Sequence, residues 1–152
     1  HDLAGSEYLQ WVHGRVEGSP KIDIDLEKRV QQVCRDAIEQ GLITSAHDCS
    51  EGGLAVALAE CAIQGGIGFT GEFSFADRWD VSLFGERQSR IVVGLPEASW
   101  SALEGLAEAV GVPLTKLGYT GSDRFKINGN VDVPVSQIAD LWNKGLEAAG
   151  GG

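Results

Sequence analysis

The stretch Ser45-Ala46-His47-Asp48-Cys49-Ser50-Glu51-Gly52-Gly53-Leu54 decides how the rest of the chain is read. Leu42 to His47 has the composition of a short strand, and from Leu54 to Gln64 apolar residues recur at helical spacing through Leu58, Cys61 and Ala62. Two adjacent glycines between them mark a strand-to-helix bend. Lacking a Cβ, they take positive φ at little cost and let another group come close to the backbone. Ala55, Ala57 and Ala59 suit a helix lying close on a sheet, and Gly65, Gly66 and Gly68 end it.

Working outward toward the N-terminus, Ser6 is placed to cap a short helix to about Val12, with Glu7 in its first turn. A polar connector covers Gly14 to Pro20. The stripe Leu26, Val30, Val33, Ala37 and Ile38 predicts an amphipathic helix capped by Asp25 and running to Gln40, with Gly41 as its C-cap. On the other side, Phe69–Phe75 reads as a strand, Trp79–Phe84 as a short helix or turn, and Ser89–Leu95 as a buried β-branched strand. Pro96 opens a helix over 97–110. Leu114–Gly118 and Arg124–Ile127 read as strands, and Asn128-Gly129 as a hairpin turn into Val131-Asp132-Val133. A last helix, capped by Ser136, covers Val135–Ala148. This mixed order predicts an α+β fold, a layered mixed sheet with packed helices, over a regular βαβ wheel. At 152 residues the expectation is a single domain, with its core over about 5–148.

Twelve basic against 22 acidic residues leave a formal net charge of -10. Nucleic-acid binding needs clustered cations to displace counterions, so no nucleic-acid partner is expected. No apolar run reaches the roughly 20 residues that span a bilayer, and no membrane association is expected. Cys34, Cys49 and Cys61 are an odd set without CxxC spacing, which argues against a disulfide framework or zinc site and for a reducing, cytoplasmic setting. Cys34 and Cys61 read as small core residues. The four tryptophans, Trp11, Trp79, Trp100 and Trp142, are dispersed and read as core or interface anchors. His1 and the closing Gly150-Gly151-Gly152 are expected to be cut or processed ends.

Two segments have chemistry to offer. At the bend, the free amides of the following helix and its dipole favour an anion, Ser50 can donate a hydroxyl to a phosphate, and Asp48 can hold a divalent cation bridging it. The other reading stays open: Ser50 caps the helix, the glycines make a packed turn and Asp48 solvates the loop. The pattern is neither a Walker A loop nor a dinucleotide fingerprint. The second segment, Leu83-Phe84-Gly85-Glu86-Arg87-Gln88-Ser89-Arg90, is a polar cluster at the mouth of a strand, suited to meet a ligand or, alternatively, to form a Glu86–Arg90 surface ion pair. His13 and His47 have no triad or metal partners at suitable spacing. Cys49, flanked by Asp48 and Glu51, is a poor nucleophile because like charge disfavours its thiolate. No self-contained catalytic set emerges.

Gly5-Ser6-Glu7-Tyr8-Leu9, then Ser45 to Glu60, then Leu83 to Arg90, in that order, resemble the phosphoribosylformylglycinamidine synthases, and in them the last, second carboxy-type domain of the synthetase subunit, within the aminoimidazole ribonucleotide synthetase superfamily. The resemblance runs from Gly5 to about Val133. It implies a fold like the carboxy-terminal domain of aminoimidazole ribonucleotide synthetase and a fragment of a larger ATP-dependent carbon–nitrogen ligase of purine biosynthesis. Such ligases convert formylglycinamide ribonucleotide, ATP and glutamine-derived ammonia to formylglycinamidine ribonucleotide. On the matching positions it implies a magnesium contact at Asp48, nucleotide or phosphate contacts at Ser50, Glu51, Gly52 and Gly53, and a ligand loop at Glu86, Gln88 and Ser89. Arg87 stands where a small residue is more usual. The cofactors implied are Mg²⁺ and ATP or ADP, and the partners are the remaining synthetase domains, the glutaminase and a small accessory subunit. Half a site of this kind, without its other domains, is expected to be inactive alone. A structural docking domain, and another superfamily member such as a thiamine phosphate kinase, are the competing readings.

Overall fold

The structure, a computed structural model, describes residues 3–19, 21–75 and 78–150. Pro20, His1 and the last two glycines, named above as connector end and chain ends, lie outside the described residues. In order, the elements are α1 (Glu7–His13), α2 (Ile24–Glu39), β1 (Ser45–Asp48), α3 (Gly53–Gly65), β2 (Phe69–Gly71), α4 (Trp79–Phe84), β3 (Ile91–Gly94), a 3₁₀ turn (Glu97–Ser99), α5 (Trp100–Ala109), β4 (Gly118–Thr120), β5 (Arg124–Ile127), β6 (Val131–Pro134) and α6 (Val135–Gly150). Helices and a mixed sheet make it an α+β fold, as the sequence implies.

The chain divides into two compact units, His1–Ala57 with Phe75–Thr115, and Leu58–Ser74 with Lys116–Gly152. In the first, β1 and β3 pair antiparallel as a two-stranded ribbon, Ser45 opposite Gly94 and Asp48 opposite Ile91. Every residue of β3 is half-buried, so the expected buried strand is instead one half of a ribbon with a partly wet face. The core is Val33 and Ala37 of α2 against Leu103 and Ala107 of α5, joined by Leu42, Ile43, Val93, Leu95 and Val112. Both helices end alike. Gly41 (φ 66°) and Gly111 (φ 67°) take the left-handed conformation, and the next amides, Leu42 and Val112, donate back to the carbonyls of Ala37 and Ala107 at 2.9 Å each. This Schellman arrangement satisfies the terminal carbonyls and turns an apolar residue into the core each time. Leu42 and Ile43 serve the core in this way, which is why the strand begins only at Ser45.

In the second unit the sheet order is β4-β2-β5-β6, with β2 parallel to β5 and the other pairs antiparallel. Phe69, Phe125 and Ile127 are buried, and the two rings lie 6.0 Å apart. Asn128 (φ 46°) and Gly129 (φ 70°) form the expected hairpin turn, closed by the Asn130 amide donating to the Ile127 carbonyl at 2.8 Å.

Several local expectations are corrected. Asp23, not Asp25, caps α2: its Oδ1 accepts from the Asp25 and Leu26 amides at 3.0 Å each. Ile38 is 56 % exposed, off the buried stripe. The strand expected over 69–75 stops at Gly71, and the one expected over 114–118 begins only at Gly118. Ser136 lies inside α6 instead of capping it. Trp11, Trp79 and Trp142 are exposed and Trp100 half-buried, so none of the four is a fully buried core residue; Cys34 and Cys61 are half-buried while Cys49 is buried.

Candidate functional site

The two sequence segments singled out for chemistry meet in the first unit. Gly52 sits at φ 76° and Gly53 at φ 71°. A Cβ on Gly53 would lie 2.8 Å from the Gly85 carbonyl oxygen and 2.9 Å from that of Leu83, so the start of α3 rests directly on the backbone that leaves α4. A Cβ on Gly52 would meet the Val56 side chain one turn along its own helix, at 2.8 Å from Cβ. The chain's own crowding therefore explains both glycines.

Two of the bend's amides have partners in the same chain. Gly52 N–H donates to Glu86 Oε1 at 2.9 Å, and Gly53 N–H donates to the Ser50 carbonyl at 3.2 Å. The same Glu86 oxygen accepts the Glu7 amide, the first of α1, at 2.9 Å. A carboxylate from the second segment thus occupies the position at the bend where an anion was expected. Cys49 N–H donates to the Arg90 carbonyl at 3.1 Å, a second tie between the segments. Arg90 in turn donates to the carbonyls of Gly85 and, at 3.4 Å, Arg87. Backbone groups thus take the place of the expected Glu86–Arg90 ion pair. Burial disfavours the Arg90 charge and lowers its pKa from the ordinary value.

What remains open to solvent is the rim. Ser50 and Glu51 are exposed, and the Asp48 side chain keeps 75 % of its surface. His47 donates through Nδ1 to the Asp48 carbonyl at 2.7 Å, which fixes its tautomer. Among the described residues no group of three or more His, Cys, Asp or Glu could hold a metal ion. Asp48 offers a single exposed carboxylate, a donor set that suits Mg²⁺ keeping most of its water and sharing a phosphate.

Beside this rim lies a cleft of about 190 Å³ lined by Glu86, Arg87, Gln88 and Ser89 together with Lys21 and Asp23. All three residues of the expected ligand loop line it. Ser89 takes a left-handed φ of 63°, unusual for a residue with a side chain, and its hydroxyl donates to Glu27 Oε2 at 2.7 Å. That bond and a second from Gln31 hold the Glu27 carboxyl below its ordinary pKa. Lys21, Asp23 and Glu27 were missed from sequence. They lie far from the loop in sequence, Ser89 bonding Glu27 across 62 positions, and Asp23 and Glu27, at the cap and in the first turn of α2, had local roles that hid this one.

Comparison with known proteins gives the family of the chain. The family described as "AIR synthase related protein, C-terminal domain" matches residues 1–129. The phosphoribosylformylglycinamidine synthase subunit PurL of Thermomicrobium roseum is 49% identical over 149 residues, 95% of this chain and 20% of its own length. That of Anaeromyxobacter sp. strain Fw109-5 is 43% identical over 97% of this chain and 21% of its own length. The chain thus spans about a fifth of the length of these relatives. Among solved structures, PurLQS from Thermotoga maritima superposes with a TM-score of 0.69 at 20% identity, over 90% of this chain and 24% of that one, which shows the fold. The chain belongs to the AIR synthase related family, as one of its C-terminal domains.

Proposed function

We propose that this chain is the carboxy-terminal domain of a phosphoribosylformylglycinamidine synthase, an ATP-dependent ligase of purine biosynthesis, and that it contributes half of an auxiliary Mg²⁺-nucleotide site. The observation that carries the assignment is 49% identity, nearly end to end, to a protein of that name. Solved Thermotoga maritima PurL has been captured with ATP, with ADP and with FGAR, and it shares this fold. The whole enzyme would use glutamine-derived ammonia and work in the cytoplasm. Its other synthetase domains, a glutaminase and a small accessory subunit would be this chain's partners.

In this reading Ser50 donates its hydroxyl to a phosphate oxygen, Glu51 lies beside it, and Asp48 holds Mg²⁺ on its other side. Mg²⁺, when bound, neutralises phosphate charge. Gln88 and Ser89, in the adjoining cleft, face the rest of the ligand. Phosphoryl transfer needs charge stabilisation converging from several elements. The described residues supply one side of such a site, so the chain alone should form no amidine.

A second reading, a domain whose work is packing and docking, is favoured by one observation: Trp11 is 79 % exposed and Val12 58 % exposed on one short helix. Titration of the chain with Mg²⁺ and ADP, followed by amide NMR, separates the two. The ligase reading expects shifts at Asp48, Ser50 and Glu51, and about tenfold or more weaker binding in the double variant Asp48→Asn, Ser50→Ala, with unchanged thermal stability. Silence, or equal affinity in the variant, returns the loop to capping and the domain to docking.

A further inference from the structure

We propose that Glu86 is a positioning residue, a built-in anion whose single carboxylate oxygen holds both the Gly52 bend and the start of α1 in place. Two amides 45 positions apart in sequence, Glu7 and Gly52, converge on Oε1 at 2.9 Å each. Such charge-assisted bonds are about twice as strong as neutral ones. They matter here because α1 has seven residues and buries none of them. Its docking rests on few contacts: the Tyr8 ring stacked on Phe84 at 4.7 Å and 8°, the buried Ser6 side chain, and Glu86.

Side-chain length and charge both enter. Aspartate is one methylene shorter and would not reach both amides. Glutamine keeps the reach and one accepting oxygen but loses the charge. The chain thus supplies for itself the negative charge that an amide-rich bend attracts, and orders the Asp48–Glu51 loop before any ligand arrives. One consequence rests on the nucleotide reading given above: a phosphate cannot take the Gly52 amide while Glu86 holds it, and is left with Ser50 at the rim.

The test needs no nucleotide. In amide NMR of the full chain, Glu86→Ala should move the Glu7 and Gly52 resonances together and disturb Tyr8. Millimolar formate or acetate should then return both amides toward their original positions along one saturable curve. A side chain that merely filled space would not be replaced by a small carboxylate. If Glu86→Ala does not fold, Glu86→Gln decides: both amides should shift in the same direction while α1 signals persist. The proposal is overturned if either variant leaves one amide unmoved, or if added carboxylate restores neither. Silence toward Mg²⁺-ADP would sink the nucleotide reading and leave this outcome untouched.

Discussion

The diglycine bend and the glycines of the four-stranded sheet answer one steric problem in different surroundings. At the bend, a Cβ on Gly53 would press on the carbonyls of Gly85 and Leu83. In the sheet, a Cβ on Gly118 would stand 2.8 Å from Gly71 Cα, and one on Gly68 would stand 2.6 Å from the Gly121 carbonyl and 2.7 Å from the Arg124 amide. In each place backbone meets backbone of the same chain. Yet Asp48, Ser50, Glu51, Glu86, Gln88 and Ser89 all belong to the unit holding the bend, and the sheet's unit holds none of them. A pair of crowded glycines is therefore no mark of a ligand by itself. The side chains gathered beside it carry that argument.

The sharpest way to break this comparison is to add the missing methyl groups. Gly53→Ala combines a left-handed φ with a clash against backbone that cannot swing aside, and should cost about 2–4 kcal/mol in urea unfolding. Gly118→Ala should cost a similar amount, while its folded fraction still responds to Mg²⁺-ADP at Asp48 and Ser50. If Gly53→Ala were tolerated within about 0.5 kcal/mol, the bend would have slack, and the close approach would not explain its glycines.

One carboxylate from each unit draws the comparison more clearly than the glycines do. In the first, Asp80 is only 4 % exposed, yet Arg78 grips it with Nη2 at 2.6 Å and Nε at 3.1 Å, and the Val81 amide adds a bond at 3.0 Å. Burial alone raises the Asp80 pKa, but these bonds and the Arg78 charge outweigh it, and the net shift is downward. A depressed folded pKa adds stability above the ordinary carboxylate range and loses it as pH falls through the folded value. Arg78→Ala should therefore lower stability at neutral pH, with the gap between variant and parent closing on acidification. A gap that stayed constant with pH would mean that Arg78 acts by packing and not by charge.

How much of this was legible depends on whether the cause was local. The helix ends at Gly41 and the hairpin turn at Asn128-Gly129 were read correctly because those residues alone dictate a left-handed backbone. The α2 cap was misplaced by two residues because Asp23 and Asp25 are equally good cap types, and only the backbone angles choose between them. Leu42 and Ile43 looked like strand but serve the core of α2 and α5, a tertiary demand that β-propensity does not contain. At the candidate site, the segments were visible as motifs, but their junction was not. Glu86 reaches Gly52 across 34 positions and Glu7 across 79, and no spacing rule links them. The Gly52 and Gly53 amides, expected to be free, are bonded within the chain, and no reading of the bend alone could show that an anion there comes from the same chain.

The smallest effect is expected at the second unit's counterpart, Asp132, where the side chain keeps half its surface. Arg124 Nε lies 2.6 Å from Oδ1 and Lys126 Nζ 3.7 Å from Oδ2, across paired strands β5 and β6. The Arg124 hydrogen bond, followed by the charges of Arg124 and Lys126, lowers the Asp132 pKa. The sign matches that of Asp80: the contribution is present at neutral pH and lost as pH falls through the depressed folded value. Water and salt reach the half-exposed Asp132 carboxylate more than the buried Asp80 carboxylate, so Asp132→Asn should lower the melting temperature less than Arg78→Ala does, and less again in molar salt. Equal losses in the two variants, or a loss at Asp132 indifferent to salt, would mean that burial is not what separates them. The contrast between the buried Asp80 carboxylate in one unit and the surface-paired Asp132 in the other would then fail.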